Sequence, residues 1–142
     1  MEIREKYNEF VENISIENIS LKYISAENMN STKTLDENQP VIVQVGFDSS
    51  KYEKKSGSLY VEASFKVEAE IEKNKPIFDI KFIYLIEYTL KEKDLSEVEN
   101  IIISKFTEKN TPINIWPYAR ELISSVTTRM GYPAFIIKPF IG

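Results

Sequence analysis

The feature that most constrains this chain is a strict alternation over fourteen residues. Leu59, Val61, Ala63, Phe65, Val67, Ala69 and Ile71 alternate with Tyr60, Glu62, Ser64, Lys66, Glu68, Glu70 and Glu72. A period of two belongs to a strand with one buried face, so something apolar must cover that face. After a turn at Lys73-Asn74-Lys75-Pro76, a partner strand is expected from about Ile77 to Leu90. There Phe78, Ile80, Phe82, Tyr84, Ile86 and Tyr88 share one face, while the other holds Ile83 and Leu85 between Lys81 and Glu87. Two long strands joined this closely read as an antiparallel hairpin.

The flanking segments extend the pattern. Ile3, Tyr7, Phe10, Val11 and Ile14 recur at helical steps and predict a helix over residues 1–14. It docks on its own domain or serves as an arm for a partner. A strand follows over roughly Ser15 to Glu27, with Ile19, Leu21 and Tyr23 on one face and Ile16, Ser20 and Ile24 opposite. Asn28 to Gln39 reads as a long polar loop holding Met29 and Leu35, and loops of that length draw attention as functional. Pro40 opens a strand over Val41 to Asp48, and Lys51 to Ser58 reads as a charged turn. Beyond Leu90 the spacing becomes helical at Leu95, Val98, Ile101, Ile102 and Phe106, with Asp94 as cap. A second helix is expected from Thr111 as N-cap and Pro112 as first residue, with Pro117 inside it as a kink or a late start, and Gly131 closing it. Strands over 15–90, helices over 94–131 and an extended tail over 132–142 describe one α+β domain, a four-stranded antiparallel sheet with helices on one face.

Composition narrows the chemistry. The 142 residues include neither cysteine nor histidine. Disulfides, thiol and imidazole catalysis, and His or Cys metal ligation are therefore excluded, and the composition suits a reducing cytoplasm. Net charge is −4 with both signs interspersed, leaving no basic footprint for nucleic acid. The charged N-terminus lacks the apolar core of a signal peptide, and no apolar run is long enough for membrane insertion. The carboxylates of the alternating strand form a solvated row rather than a catalytic pair in contrasting environments. Ser124, Ser125, Thr127 and Thr128 lie mid-helix with no base nearby in sequence, and suit small-residue packing or back-bonding. No catalytic residues, cofactor or metal site are expected. Eight Phe, eight Tyr and one Trp are many for this length, and a sheet apolar on one face and mixed on the other points to self-association.

One segment resembles a known family. Trp116-Pro117-Tyr118-Ala119-Arg120-Glu121, continuing to Gly131-Tyr132-Pro133, is similar to the signature of SecB-type export chaperones. Leu21 to Glu27 looks like that family's first strand, Gln39-Pro40 like the start of its second, and Lys138-Pro139-Phe140-Ile141 like its segment after the helix. The likeness covers about residues 19–141. It implies an ATP-independent holdase, assembled as a dimer of dimers, that wraps non-native polypeptide clients in apolar grooves. By position it implies client contacts from Met29, Leu35, Val43, Val45, Phe47, Trp116 and Tyr118, and an oligomer interface involving Ile80, Phe82 and Tyr84. Arg120 and Glu121 are expected to pin the helix by hydrogen bonds.

Departures from the pattern carry information. Tyr23 and Lys81 stand where the family places acidic residues of its docking surface for the SecA motor, and Glu27 alone is retained. The family's last helix is expected to be absent after Gly142, and the helix over 1–14 is an addition. These differences tell against SecA docking. They favour a SecB-like chaperone dedicated to one client, such as an antitoxin of a toxin–antitoxin system. The alternative is an adaptor on the same fold that binds one partner without general chaperone activity.

Overall fold

The sheet is built from four antiparallel strands in the order β1-β4-β3-β2, in a computed structural model that describes residues 2–29, 40–71, 75–91 and 94–140. The strands are β1 (Ile14–Asn28), β2 (Ile42–Lys55), β3 (Ser58–Glu70) and β4 (Pro76–Leu90). The alternating residues Leu59 to Ala69 of β3 and Phe78 to Tyr88 of β4 are buried, as the period of two requires. Helices α1 (Ile3–Asn13), α2 (Asn100–Lys109) and α3 (Thr111–Arg129) complete the fold. α3 lays Ile115, Ala119, Ile123 and Thr127 inward at steps of four, and α2 lays Ile102, Ile103 and Phe106.

Three sequence expectations change here. First, β2 does not stop at Asp48. One extra residue at Ser49–Ser50 bulges the strand opposite Ala63, after which pairing resumes at Lys51 with Glu62 and runs to Lys55. The turn shrinks to Ser56-Gly57, both at positive φ (52° and 80°), which is the two-residue geometry that matches strand twist. The bulge turns Ser49 inward, where its hydroxyl donates to the Thr107 carbonyl at 2.5 Å.

Second, β1 is out of phase with a simple alternation. Its register against β4 slips at Glu17 and again at Lys22. Ile16, Ile19, Leu21, Ile24 and Ala26 consequently pair with Tyr88, Ile86, Tyr84, Phe82 and Ile80, so all five face the helix side. Tyr23 pairs with Ile83 and faces the other way. The faces read from the sequence mixed these residues because each bulge flips every side chain beyond it.

Third, the helical stretch after Leu90 is broken. Asp94 caps only a 3-10 turn over Leu95–Glu97, accepting from Ser96 N–H at 3.0 Å, and α2 begins afresh at Asn100. The new phase buries Ile103 and leaves Ile101 at the surface. Likewise Thr111 does not cap α3. Asn110 holds that position in helical conformation without a side-chain cap, and Pro112 falls second in the helix, which continues through Pro117 without a late start. Thr111 is instead buried beside Tyr88, whose hydroxyl donates to Asn114 Oδ1 at 2.8 Å and lies 3.2 Å from Thr111 Oγ1.

The N-terminal helix docks on the chain's own α2. Phe10 meets Phe106 edge to face at 5.2 Å, Tyr7 donates to Asn110, and Lys6 pairs with Glu99 at 2.6 Å. α3 ends as expected. Gly131, at φ 92°, and Tyr132 donate their N–H groups to Thr128 and Thr127, closing the last turn.

Candidate functional site

The helix layer is narrower than the apolar face it covers. Over β3 and β4 the covering is complete. At the two edges it stops short. On β1, Ile16, Leu21 and Ile24 keep 44%, 43% and 41% of their surface exposed, although all three face the helix side. On β2, Val43, Val45 and Phe47 pair with Ala69, Val67 and Phe65 and so share that side, yet Val45 is 39% exposed and the other two are half-buried. Isolated apolar residues at a surface need no explanation, but a row continuous with the core does.

Of the residues singled out from the sequence, Val43, Val45, Phe47 and Trp116 lie at the β2 margin and Tyr118 turns the other way, while the rest lie elsewhere. Phe47 and Trp116 come together at 5.6 Å, with Phe65 at 5.4 Å from the indole. Val43 and Val45 continue that row along β2. Tyr118, two residues from Trp116, turns to the other side of α3, where its ring lies 6.1 Å from Tyr84 and beside β1. Met29 lies beyond the end of β1, held by its N–H to the Ile77 carbonyl at 2.8 Å, and is exposed at the mouth of a small cleft with Gln44 and Phe78. Leu35 lies outside the described residues. Ile80, Phe82 and Tyr84 are buried within the chain itself, under α3, where Phe82 stacks on Phe65 at 4.8 Å.

A cleft of about 380 Å³ opens where β2, α2 and α3 converge, between Phe47, Ser50, Ser104, Glu108 and Pro112. Phe140 of the tail forms one wall. Residues 133–140 return along α3 in extended form. Thr127 Oγ1 accepts from Phe135 N–H at 3.0 Å, Arg120 Nε donates to the Ile137 carbonyl at 3.0 Å, and Trp116 Nε1 donates to the Lys138 carbonyl at 2.6 Å. Arg120 thus pins the tail rather than the helix. The sequence offered no signal for the Thr127 contact beyond a hydroxyl at a buried helical position. That hydroxyl also back-bonds to the Ile123 carbonyl at 2.8 Å.

The opposite face of the sheet is mixed, with Tyr23, Ile83 and Leu85 among charged and polar side chains. Glu62 is nearly buried at its centre, receiving Lys22 on one oxygen and Lys51 on the other at 2.8 Å. Those two hydrogen bonds, first Lys22 and then Lys51, hold its carboxyl below the usual range, against a smaller opposing effect of burial. No group of residues able to hold a metal occurs among the described residues, and no helix there is long and apolar enough to cross a membrane.

The model of the family described as preprotein translocase subunit SecB matches residues 7–140. The chain is 25% identical over 100 residues to the protein-export protein SecB of a Caulobacter species, covering 70% of this chain and 57% of that protein. It is 26% identical over 128 residues to the SecB of Neorickettsia sennetsu, covering 84% and 75%. It therefore spans little more than half the length of the first of these relatives. In structure it is similar to the SecB-like chaperone Rv1957 of Mycobacterium tuberculosis, solved with a peptide from the HigA1 antitoxin. The TM-score is 0.78, with 14% identity over 99% of this chain and 100% of that one.

Proposed function

This chain belongs to the SecB family, and from that premise we propose that it is an ATP-independent chaperone holding extended, non-native polypeptide against the apolar margins of its sheet. The family is not one of enzymes. The observation that carries the reading is the mismatch between the apolar face and the helices that cover it. Val43, Val45 and Phe47 form a partly exposed apolar row on β2, whose outer edge pairs with no strand among the described residues, and Trp116 closes its inner side. A row of that kind offers an extended chain both side-chain contact and main-chain hydrogen bonds.

The β1 margin has a different use in this proposal. Ile16, Leu21 and Ile24, with Tyr118 beside them, suit a second copy of the chain, giving a homo-oligomer. Ile80, Phe82 and Tyr84 act on assembly by setting the position of α3 and β1 rather than by touching the partner. Docking to SecA is not included, because Tyr23 and Lys81, both on the face away from the helices, stand where the family pattern has carboxylates. A cytoplasmic location accords with the cysteine-free composition.

The test is suppression of aggregation of a slowly refolding protein without nucleotide. Wild type is expected to suppress it. Val45→Asp is expected to lose that activity while remaining folded, since Val45 is already 39% exposed. A wild type that suppresses nothing would reject general chaperoning. The second reading, a chaperone or adaptor for a single client such as an antitoxin, is supported by the likeness in fold to a chaperone solved with an antitoxin peptide. Tight binding to one purified partner with no suppression of aggregation would favour it.

A further inference from the structure

The tail runs along α3 in the manner of a bound peptide, and Phe140, near its end, lines the cleft between β2, α2 and α3. It is extended, it forms no strand ladder, and side chains of α3 rather than backbone groups hold it. Its hold weakens along its length. Ile137 is buried and anchored by Arg120, whereas Lys138 and Pro139 are exposed and Phe140 is only half-buried. The last attachments are the solvent-exposed bond from Trp116 Nε1 to the Lys138 carbonyl and the contact of the Phe140 ring with the indole at 5.3 Å. An exposed hydrogen bond exchanges readily with water, and one half-buried ring adds little to hold three residues in place. Phe140 nevertheless sits against Trp116 at the wall of the 380 Å³ cleft that Phe47 also lines, and its removal would open that cleft toward the indole.

We propose that residues 138–140 are a resident occupant of the client site, and that an extended segment bearing an aromatic residue displaces them by taking the same two contacts. The inference rests on the chaperone reading above. The displaced segment indicates what the site selects: an aromatic side chain against Trp116, with a main-chain carbonyl two residues before it for the indole N–H. A site filled in part by its own chain binds a competitor more weakly by the inverse of the fraction of time that it is open.

Trp116 is the chain's sole tryptophan, so its emission reports on this contact directly. The experiment uses the full chain, wild type and Phe140→Ala, with matched thermal unfolding to show that both are folded. A reduced, unfolded client is titrated into each. A synthetic peptide covering residues 134–142 is titrated separately. The expected result is a roughly three- to tenfold tighter client affinity for Phe140→Ala. The synthetic peptide should also bind Phe140→Ala with a shift in Trp116 emission, and compete with the client. Unchanged or weaker client binding by Phe140→Ala would overturn the proposal, because Phe140 would then be scenery or part of the wall. Should neither protein bind client, the chaperone reading fails on its own. The peptide arm still decides whether the cleft takes an extended aromatic segment, since a silent Trp116 there would reject the occupant as well.

Discussion

Ile24 and Phe82 are cross-strand neighbours on the same face of the same sheet, yet Phe82 is 1% exposed and Ile24 is 41%. The same holds one step along for Leu21 and Tyr84. Nothing in the residue types explains the difference, because both strands present apolar rows to the helix side. The difference lies in what covers them. α2, α3 and the tail cover β3 and β4 fully, and although α2 reaches β2 at Ser49, the outer apolar rows of both edge strands keep exposed surface. In a protein that worked alone, such edges would be short, charged or capped. Here the outermost rows stay apolar, and the bulges of β1 bring four large side chains to one face that a regular strand would have split between two. The centre of the sheet is covered by its own chain, and its margins keep apolar surface exposed.

The largest expected effect breaks this comparison directly. Phe82→Ala should cost about 3–5 kcal/mol in denaturant unfolding, because it empties a site stacked on Phe65 and edged by Tyr84. Ile24→Ala, at the matching position of β1, should cost about 1 kcal/mol or less in dilute solution. If the cost at Ile24 grows with protein concentration, a second copy covers the margin. Equal costs for the two variants at every concentration would mean that β1 is covered by its own chain, against the geometry. A sharper form introduces charge. Leu21→Asp should leave the isolated fold intact and lower the assembly size in sedimentation, whereas Val45→Asp on the other margin should leave assembly unchanged.

The centre was the more legible of the two regions. Alternation over β3 and β4 has no competing explanation, so both strands and their buried faces followed from residue types alone. The apolar steps of α1 and the Gly131 terminator were equally direct. The margins were obscured by their bulges. Nothing about Glu17, Lys22 or Ser49 marks them as extra residues, because a bulge is set by the pairing partner rather than by local propensity. The break between Leu95 and Asn100 was hidden for a related reason, since a 3-10 turn and an α-helix share their first apolar steps. In the candidate site, Phe47 and Trp116 were each picked out from the sequence. That they meet, that Tyr118 turns away from them, and that Phe140 lies against the indole are long-range facts no local spacing records.

Where the helices meet the centre, one buried hydroxyl tests how tightly the cover is fixed. Tyr88 is buried, and that burial pushes its phenol up to about 12, slightly opposed by the Thr111 hydroxyl. The raised value means that stability from the neutral phenol is complete below pH 10. It is lost as the pH rises from 10 through 12. Tyr88→Phe should cost about 1–2 kcal/mol near neutrality, because Asn114 Oδ1 loses its donor. It should also unfold less steeply than wild type across that alkaline range. An identical alkaline limb in both proteins would show that other groups govern it.

The smallest effect concerns what holds the margins to the centre on the opposite face. Glu62 belongs to β3, Lys51 to β2 and Lys22 to β1, so this one carboxylate ties both edge strands inward. Lys22 reaches it across β4 because it is the extra residue of a bulge. Both lysines are more than half exposed, so solvent screens the pairs and Glu62→Gln should cost about 1 kcal/mol or less near neutrality. The sign of its pH dependence is fixed. A depressed carboxyl pKa gives stability that is complete above the ordinary value of 4.5 and is lost as the pH falls below it through the folded value. Wild type should therefore lose stability on acidification faster than Glu62→Gln, and added salt should narrow the gap. Hydrogen exchange adds the structural readout: if the carboxylate staples the edges, amides of β1 and β2 should open sooner in the variant while those of β3 and β4 keep their protection. Uniform loss across all four strands would instead make Glu62 an ordinary contributor to global stability, and the margins would owe their order to backbone pairing alone.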